Sequence, residues 1–360
     1  MAEIHPKFKL NGLALNERDL IEVGYCFIKE GQAFEREIGV FLLNWLDATN
    51  EVSVQTSGST GSPKEIILLK EHMVNSAKAT GSYFDLQQGD SALLCLPARY
   101  IAGKMMLVRA MVLGLELDTV EPSSSPLHIF SRDYDFCAMV PIQVQNSLSH
   151  LSHIKNLIIG GTTVSSSLKK ELNRLRVNAF ETYGMTETVT HIAVKKLIED
   201  ELKGEGIPSL FLTLPGIRIE QDERGCLVIN APNISKTKIV TNDVVKLHST
   251  TEFELLGRID NVINSGGVKL FPENIERKLS HIIKNPFFVA GIPDEELGEK
   301  LILIIEGKGN LEEIANLLKL AKDLGPYETP KTVCFLENFE RTENEKIQRT
   351  PTLNKVFGIH

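Results

Sequence analysis

The sequence predicts an α/β protein in which a large N-terminal α/β domain with a β-rich end is joined by a hinge to a small C-terminal α+β domain. Three observations carry this reading. From about residue 90, short apolar runs alternate with helical patterns, as in a largely parallel sheet packed by helices. Residues 211–258 change character and read as strand after strand. Beyond them comes a smaller mixture of helices and strands, and a chain of 360 residues has room for two or three domains of about 100–200 residues each.

Taken in order, "FEREIGVFLLNWL" is the clear helix ahead of residue 50. "EVSVQT" alternates as a strand, "EIILL" follows as a second strand, and a helical pattern starts around Lys70. "SALLCLP" is a strand and "KMMLVRAMVLG" a helix. "DFCAMVP" is a strand, and "PIQVQNSLSHL" a helix opened by proline, whose fixed φ suits a first turn. "NLIIGG", "SSLKKELNRL" and "VNAFETYG" complete the series as strand, helix and strand. "GIRIEQDERGCLVIN" reads as two strands about a turn at Glu223-Arg224-Gly225, continued by "KIVTNDVVKL" and "EFELLGRI". "PENIERKLSHII", "FFVAGI", "KLILIIEG" and the amphipathic "LEEIANLLKLAKDL" form the last unit. The boundary falls near Gly257–Asp260, giving domains 1–257 and 258–360. There is no internal repeat and no low-complexity tract.

Composition narrows the function classes. Hydrophobic residues at 42% and charged residues at 24% lie near the soluble globular average, enough for a sizeable core. The net charge of −8 argues against a broad nucleic-acid or anionic-membrane surface. A small anionic ligand remains compatible, because local lysines outvote the total. Cys26, Cys95, Cys137, Cys226 and Cys334 are scattered without a CxxC pair or Cys/His cluster, which speaks against zinc and against a disulfide framework. "MAEIHPKFKL" lacks an apolar signal core, and no apolar run reaches membrane-spanning length. The expectation is a cytoplasmic protein with small-molecule partners and no nucleic acid.

Four stretches carry chemistry. "QTSGSTGSPKEIILL" begins at Gln55. It does not fit GxxxxGK[ST], and strands rather than a helix flank it, so the helix dipole that helps hold phosphate in that motif is missing. Gly58 and Gly61 let backbone N–H groups turn toward one anion. Ser57, Ser59, Thr60 and Ser62 add hydroxyls and Lys64 adds charge, which suits a clamp on polyphosphate; alone, the stretch reads equally well as a surface connection. "ETYGMTETVT" lies at the C-terminal end of the last strand of the series, the edge where open α/β sheets bind ligands. Tyr183 offers an aromatic face, Gly184 close backbone approach, Thr186 a hydroxyl, and Glu187 a hard oxygen for Mg²⁺. The bland alternative is a core tyrosine beside a surface turn. "GRIDNVINSGGVKLFPENIE" and "ERTENEKIQR" follow.

These four pieces, in this order, resemble the adenylate-forming superfamily of acyl- and aryl-CoA synthetases over about residues 50–350. "TSGSTGSPK" is similar to its phosphate-loop motif and "YGMTE" to its adenylate-binding motif. "TNDVV" stands where the family has Thr-Gly-Asp, "GRIDNVINSGG" resembles the hinge and thiol-tunnel segment, and "RTENEKIQR" the segment with the catalytic lysine. The resemblance implies that Thr56, Ser57, Gly58, Ser59, Thr60, Gly61 and Lys64 hold the β- and γ-phosphates of ATP. Gly160 and Gly161 would line the adenine pocket with Tyr183 against the ring. Thr186 would contact the α-phosphate and Glu187 ligate Mg²⁺. Asp243 would take the ribose hydroxyls with Arg258 beside it. Asp260 would be the hinge, Gly266 and Gly267 would flank the path of CoA, and Lys346 would bridge carboxylate and α-phosphate. The implied chemistry is attack of a carboxylate on ATP, giving an acyl-adenylate and pyrophosphate, then transfer of the acyl group to the thiol of CoA. One anion must approach another, which is why the site needs Mg²⁺ and lysines.

The sequence departs from the family pattern at several points. Asn242 replaces the glycine of Thr-Gly-Asp, a change that asparagine's tolerance of positive φ would excuse. Glu345 replaces the glycine before Lys346. Tyr100 stands where many relatives carry a histidine gating the acyl pocket, and the phosphate loop begins at residue 56, where typical members have a far longer segment ahead of it. That compactness resembles the o-succinylbenzoate–CoA ligases of menaquinone biosynthesis. Their substrate has a second carboxylate, for which Arg99, Lys104 and Arg109 are candidate partners, at least one of Arg99 and Lys104 being expected to face the acyl pocket beside Tyr100; any single one of the three also reads as a solvated surface charge. Another aryl- or acyl-CoA ligase, or a non-catalytic adenylate-binding protein, fits the same motifs. His191 reads either as a pocket residue or as a core histidine.

Overall fold

The computed structural model describes residues 3–55, 65–127, 132–197, 210–321, 323–341 and 347–358. Among them, thirteen strands make one continuous sheet. Its centre is parallel: Glu116–Thr119, Ser91–Leu94, Tyr134–Met139, Ile154–Ile159 and Ala179–Gly184 lie side by side in that order. Along them, neighbouring residues bury on opposite faces. Ala92, Leu94, Phe136, Ala138, Ile158 and Phe180 join one core, and Leu93, Cys137, Met139, Leu157, Ile159 and Ala179 the other. A sheet covered on both sides needs apolar residues at successive positions, which is why these strands read as unbroken apolar runs.

The β-rich stretch does not form a separate layer. His191–Lys196 turns back antiparallel to Ala179–Gly184, and Phe211–Thr213, Glu252–Arg258, Ile239–Leu247, Cys226–Asn230 and Arg218–Gln221 extend the same sheet. The expected turn at 223–225 is present, with Gly225 N–H donating to the carbonyl of Asp222. At the other edge Lys9–Leu10 pairs in parallel with Glu116–Thr119, and Leu13–Ala14 closes the edge.

Two faces of helices enclose the sheet. Glu17–Glu30 and Ala33–Leu46 form a hairpin; the first opens on a capping box of Asn16 and Asp19. Lys70–Phe84 and Ile101–Leu113 pack beside each other on the same core. Ile101–Leu113 is buried almost all round, as a helix without a polar stripe must be. The proline-opened helix is shorter than the sequence pattern implies: Pro141–Asn146 stops at Ser147, and Leu148–His153 continues as a 3₁₀ turn.

The strands Glu51–Gln55 and Glu65–Leu69 pair antiparallel by themselves, and Lys70 follows as the first residue of a helix. So the phosphate-loop motif joins two strands, as the sequence indicates. A second sheet begins at Ile263. Its strands are Val268–Leu270, Ile263–Ser265, Gly298–Glu306 and Phe287–Asp294, with Thr332–Leu336 parallel to Gly298–Glu306. It has its own core, packed by Pro272–Leu279 and Leu311–Leu320 on one side and Arg349–Phe357 on the other. The two sheets meet through few polar contacts, among them Ser280 to Ser166 at 3.0 Å and Arg277 to Glu254 at 3.7 Å.

Candidate active site

The C-terminal end of Ala179–Gly184 gathers the groups the site needs. Tyr183 is buried, its ring edge-on to Phe253 at 5.2 Å and tilted against Phe211 at 5.9 Å. Its hydroxyl donates to Oδ2 of Asp243 at 2.6 Å. Burial first, and then the facing carboxylate, hold that phenol far above its usual range, so it stays a donor. Asp243 sits opposite Arg258 in the ladder between Ile239–Leu247 and Glu252–Arg258, with Oδ1 3.6 Å from the guanidinium Nε. Tyrosine, aspartate and arginine, far apart in sequence, thus meet in one cluster at the sheet edge.

The turn after Tyr183 is tightly built. A Cβ on Gly184 would lie 2.4 Å from the carbonyl oxygen of Thr190 and 2.5 Å from Cα of His191. The close approach that this glycine allows is therefore made by the chain's own next strand. Thr186 and Glu187 lie in a 3₁₀ turn, Glu187 exposed. Val189, buried, has φ 65° and ψ −59°, and Thr190 N–H donates across it to Thr188 O at 2.7 Å. A β-branched residue in such a γ-turn is strained, and nothing in the sequence announces it. The strain sits between the candidate metal ligand Glu187 and the half-buried Thr190, followed by the buried His191.

Gly160 and Gly161 follow directly on Ile154–Ile159, one strand away from Tyr183; Gly160 N–H donates to Met139 O at 3.1 Å. Asn242 differs from expectation. It is not among the residues of positive φ and lies inside a strand, so its tolerance of that region is not used. Its amide instead donates to the Asp260 carboxylate at 3.2 Å and accepts from Arg224 at 3.2 Å. Asp260 also lies 3.6 Å from Arg258, so the candidate hinge is tied to the ribose-site candidates on the large sheet. Gly266 and Gly267, with φ 58° and 81°, form the two-residue turn between Ile263–Ser265 and Val268–Leu270. That turn type requires positive φ at both positions.

The acyl-pocket candidates are engaged by the chain itself. Arg99 stacks on Tyr100 at 4.9 Å and lies 3.8 Å from Glu37. Lys104 is buried and donates to the carbonyls of Ala98 and Arg99, both at 2.9 Å. Arg109 is different. It is only 1% exposed, and among the described residues it has no carboxylate partner. Burial pulls its guanidinium down to about 9, which still leaves it charged at neutral pH. Thr56, Ser57, Gly58, Ser59, Thr60, Gly61, Lys64 and Lys346 lie outside the described residues. A cavity of about 560 Å³, bordered by Tyr83, Leu214, Ile217 and Asn230, shares no residue with the Tyr183 cluster; the chemistry of the side chains, not this cavity, marks the site.

Mg²⁺ is compatible with these residues. No group of three or more acidic, histidine or cysteine side chains among the described residues forms a metal cage. A single exposed carboxylate such as Glu187 fits a cation held mainly by nucleotide phosphates and water. No helix of the described residues is long and apolar enough to cross a membrane.

The comparisons bear on the family and the fold. The model of the AMP-binding enzyme family matches residues 52–235. The crystal structure of an acyl-CoA synthetase (AMP-forming)/AMP-acid ligase II-like protein from Dyadobacter fermentans is 36% identical, covering 90% of this chain and 95% of that one, with a TM-score of 0.59. This chain therefore belongs to the AMP-binding enzymes. A 2-succinylbenzoate–CoA ligase from Bacillus mycoides is 24% identical over 82% of this chain and 68% of its own length. The O-succinylbenzoate coenzyme A synthetase of Bacillus subtilis, solved with ATP and magnesium ion, shares the fold at 21% identity and a TM-score of 0.72, over 84% of this chain and 69% of that one.

Proposed function

We propose that this protein is an AMP-forming acid–thiol ligase that activates o-succinylbenzoate and transfers the acyl group to CoA. The observation that carries the activity is the Tyr183–Asp243–Arg258 cluster at the C-terminal edge of the parallel strands. It offers an aromatic wall for a base and a carboxylate for ribose hydroxyls. Glu187 and Thr186, one turn further on, would face the phosphates, and Gly160 and Gly161, just past the end of the neighbouring strand, would face the base. Mg²⁺, arriving with ATP, supplies charge neutralisation at the phosphates. Thr56 to Lys64 would close on the outer phosphates, and Lys346 would neutralise the carboxylate as it attacks. The second half-reaction would proceed after residues 258–360 rotate about Asp260, with Gly266 and Gly267 beside the incoming thiol.

The substrate assignment rests on Arg109. A buried cation costs several kcal/mol unless an anion accompanies it, and the second carboxylate of a diacid provides one. The names of the relatives point to the same acid. A monocarboxylic aryl or acyl acid would bring no second anion to Arg109.

Pyrophosphate release from Mg·ATP is the first test, followed by mass detection of the CoA thioester, with o-succinylbenzoate, benzoate, 4-coumarate and short fatty acids in parallel. Release and thioester with o-succinylbenzoate alone are expected. Release with a different acid would retain the mechanism and refute the substrate; nucleotide binding without turnover would refute the ligase. Lys346→Ala is expected to slow pyrophosphate release by about 10²–10³-fold while acyl transfer from supplied acyl-adenylate persists.

A further inference from the structure

Among the described residues the His191 side chain has no hydrogen bond to Tyr183, Asp243 or Arg258, yet it is buried against Arg109. The hydrogen bonds around it can be assigned one by one. Arg109 has only donors, so its Nη2 must donate to Nδ1 of His191, 3.4 Å away. Nδ1 is then an acceptor, and the proton of the neutral ring sits on Nε2. Nε2 faces Oγ1 of Thr80 at 3.5 Å. That hydroxyl spends its own proton on the carbonyl of Ser76 at 3.0 Å, so it accepts from His191 and also from Nε of Arg109 at 3.4 Å. Thr190 Oγ1 takes a further Nη2 proton at 3.4 Å. Thr190 Oγ1 also lies 3.5 Å from Nδ1 and donates toward it once Nδ1 is an acceptor; the set fits a neutral histidine with its proton on Nε2.

This cradle holds one side of the guanidinium. Nη1 faces the thioether of Met106 at 3.7 Å, a weak acceptor. Among the described residues the strong, charge-assisted bond expected of a buried arginine is not made there, and a substrate carboxylate reaching that edge would supply it.

We propose that His191 is a positioning residue: as the neutral Nε2–H tautomer, it aims Arg109 at the second carboxylate of the substrate and so sets the preference for a diacid over a monoacid. Arg109, which can only donate, fixes the tautomer, and Thr80 accepts the Nε2 proton. This inference rests on the ligase reading above. It explains why a histidine lies inside the fold next to a cation: imidazole supplies an acceptor without adding the full charge that a carboxylate would place against the substrate's own.

The test compares kcat/KM for o-succinylbenzoate with that for 4-phenyl-4-oxobutanoate, the same acid without the ring carboxylate. His191→Leu is expected to lower the diacid-to-monoacid ratio at least about tenfold, the scale of one lost charge-assisted contact. His191→Gln, whose amide both accepts and donates, should restore most of it, and Thr80→Val should lower it less. His191→Leu combined with Arg109→Leu should lose no more than Arg109→Leu alone. A ratio unmoved in both His191→Leu and Thr80→Val, or additive losses in the double variant, would overturn the proposal. Histidine ¹⁵N NMR of the wild type gives a readout independent of activity: a pyridine-type Nδ1 and protonated Nε2 are expected, and the opposite tautomer would refute the cradle. If Arg109→Leu itself leaves the ratio unchanged, it is the diacid reading that falls.

Discussion

Glycine 184 and histidine 191 face each other across one hydrogen-bonded pair of strands, and each permits a sharp prediction. Gly184→Ala would press a methyl group into backbone atoms of Thr190 and His191, which cannot swing aside as a side-chain end does. The expected loss is about 2–3 kcal/mol, read by urea denaturation; a loss below about 0.5 kcal/mol would mean that the strands do not approach as described. The imidazole of His191 is held well below its ordinary 6.5, by burial and then by Arg109. As pH falls, the unfolded chain takes up this proton first. The contribution of His191 is therefore complete above pH 6.5 and is lost below it, by up to about 1.4 kcal/mol per pH unit, until the folded ring also titrates. Measured from pH 7.5 to 5.5, the stability of wild type relative to His191→Gln should fall with pH; a constant difference would place His191 in contact with water.

At the scale of elements, hydrophobic patterning found most strands and helices but not how they end or which edge they join. Ile101–Leu113 was legible because its residues are apolar on every side. The same pattern conceals that Arg109, on that helix, is buried with them. Ser147 breaks the proline-opened helix, a termination that periodicity does not register. The last helix offers another case. Arg349, its first residue, forms two parallel hydrogen bonds to Glu276 of Pro272–Leu279, both 2.8 Å, and a third to Val289 O at 3.1 Å. Glu276 also accepts from Val289 N–H at 2.9 Å. Removing one partner strands a largely buried charge. Arg349→Met is therefore expected to cost about 3 kcal/mol in thermal or denaturant unfolding. An unchanged midpoint would show that water reaches the pair.

At the scale of the molecule, the large sheet ends its chain path at Arg258 and the small sheet begins at Ile263. Each has a separate hydrophobic core. We propose that a chain ending at Arg258 folds by itself, binds AMP, and releases no pyrophosphate with any acid, because Lys346 is gone. Isothermal titration and calorimetry check this; failure to fold would mean that Ser166, Glu254 and their partners across the boundary are essential to the large domain. Asn242 and Asp260 matter at the same scale, since their contact joins the strand of Asp243 to the segment between the sheets. A rotation about Asp260 would have to break it.

The sequence by itself determined the fold class, most of the strands and helices in their order, and the motifs of the AMP-binding enzymes, because these depend on local periodicity and on residue types that follow one another in the chain. It also placed Tyr183 at the C-terminal end of its strand, a consequence of strand direction alone. Tertiary structure alone decided that the β-rich stretch extends the parallel sheet, that Asn242 engages Asp260 rather than adopting positive φ, and that Lys104 serves its own chain's carbonyls while Arg109 is buried with no carboxylate partner among the described residues. The physical reason is the same each time. Strand pairing, desolvation of a charge and the choice of hydrogen-bond partner are set by groups tens of residues away in the chain, as Thr80, Arg109 and His191 are, and these become neighbours only when the sheet and its helices close around them.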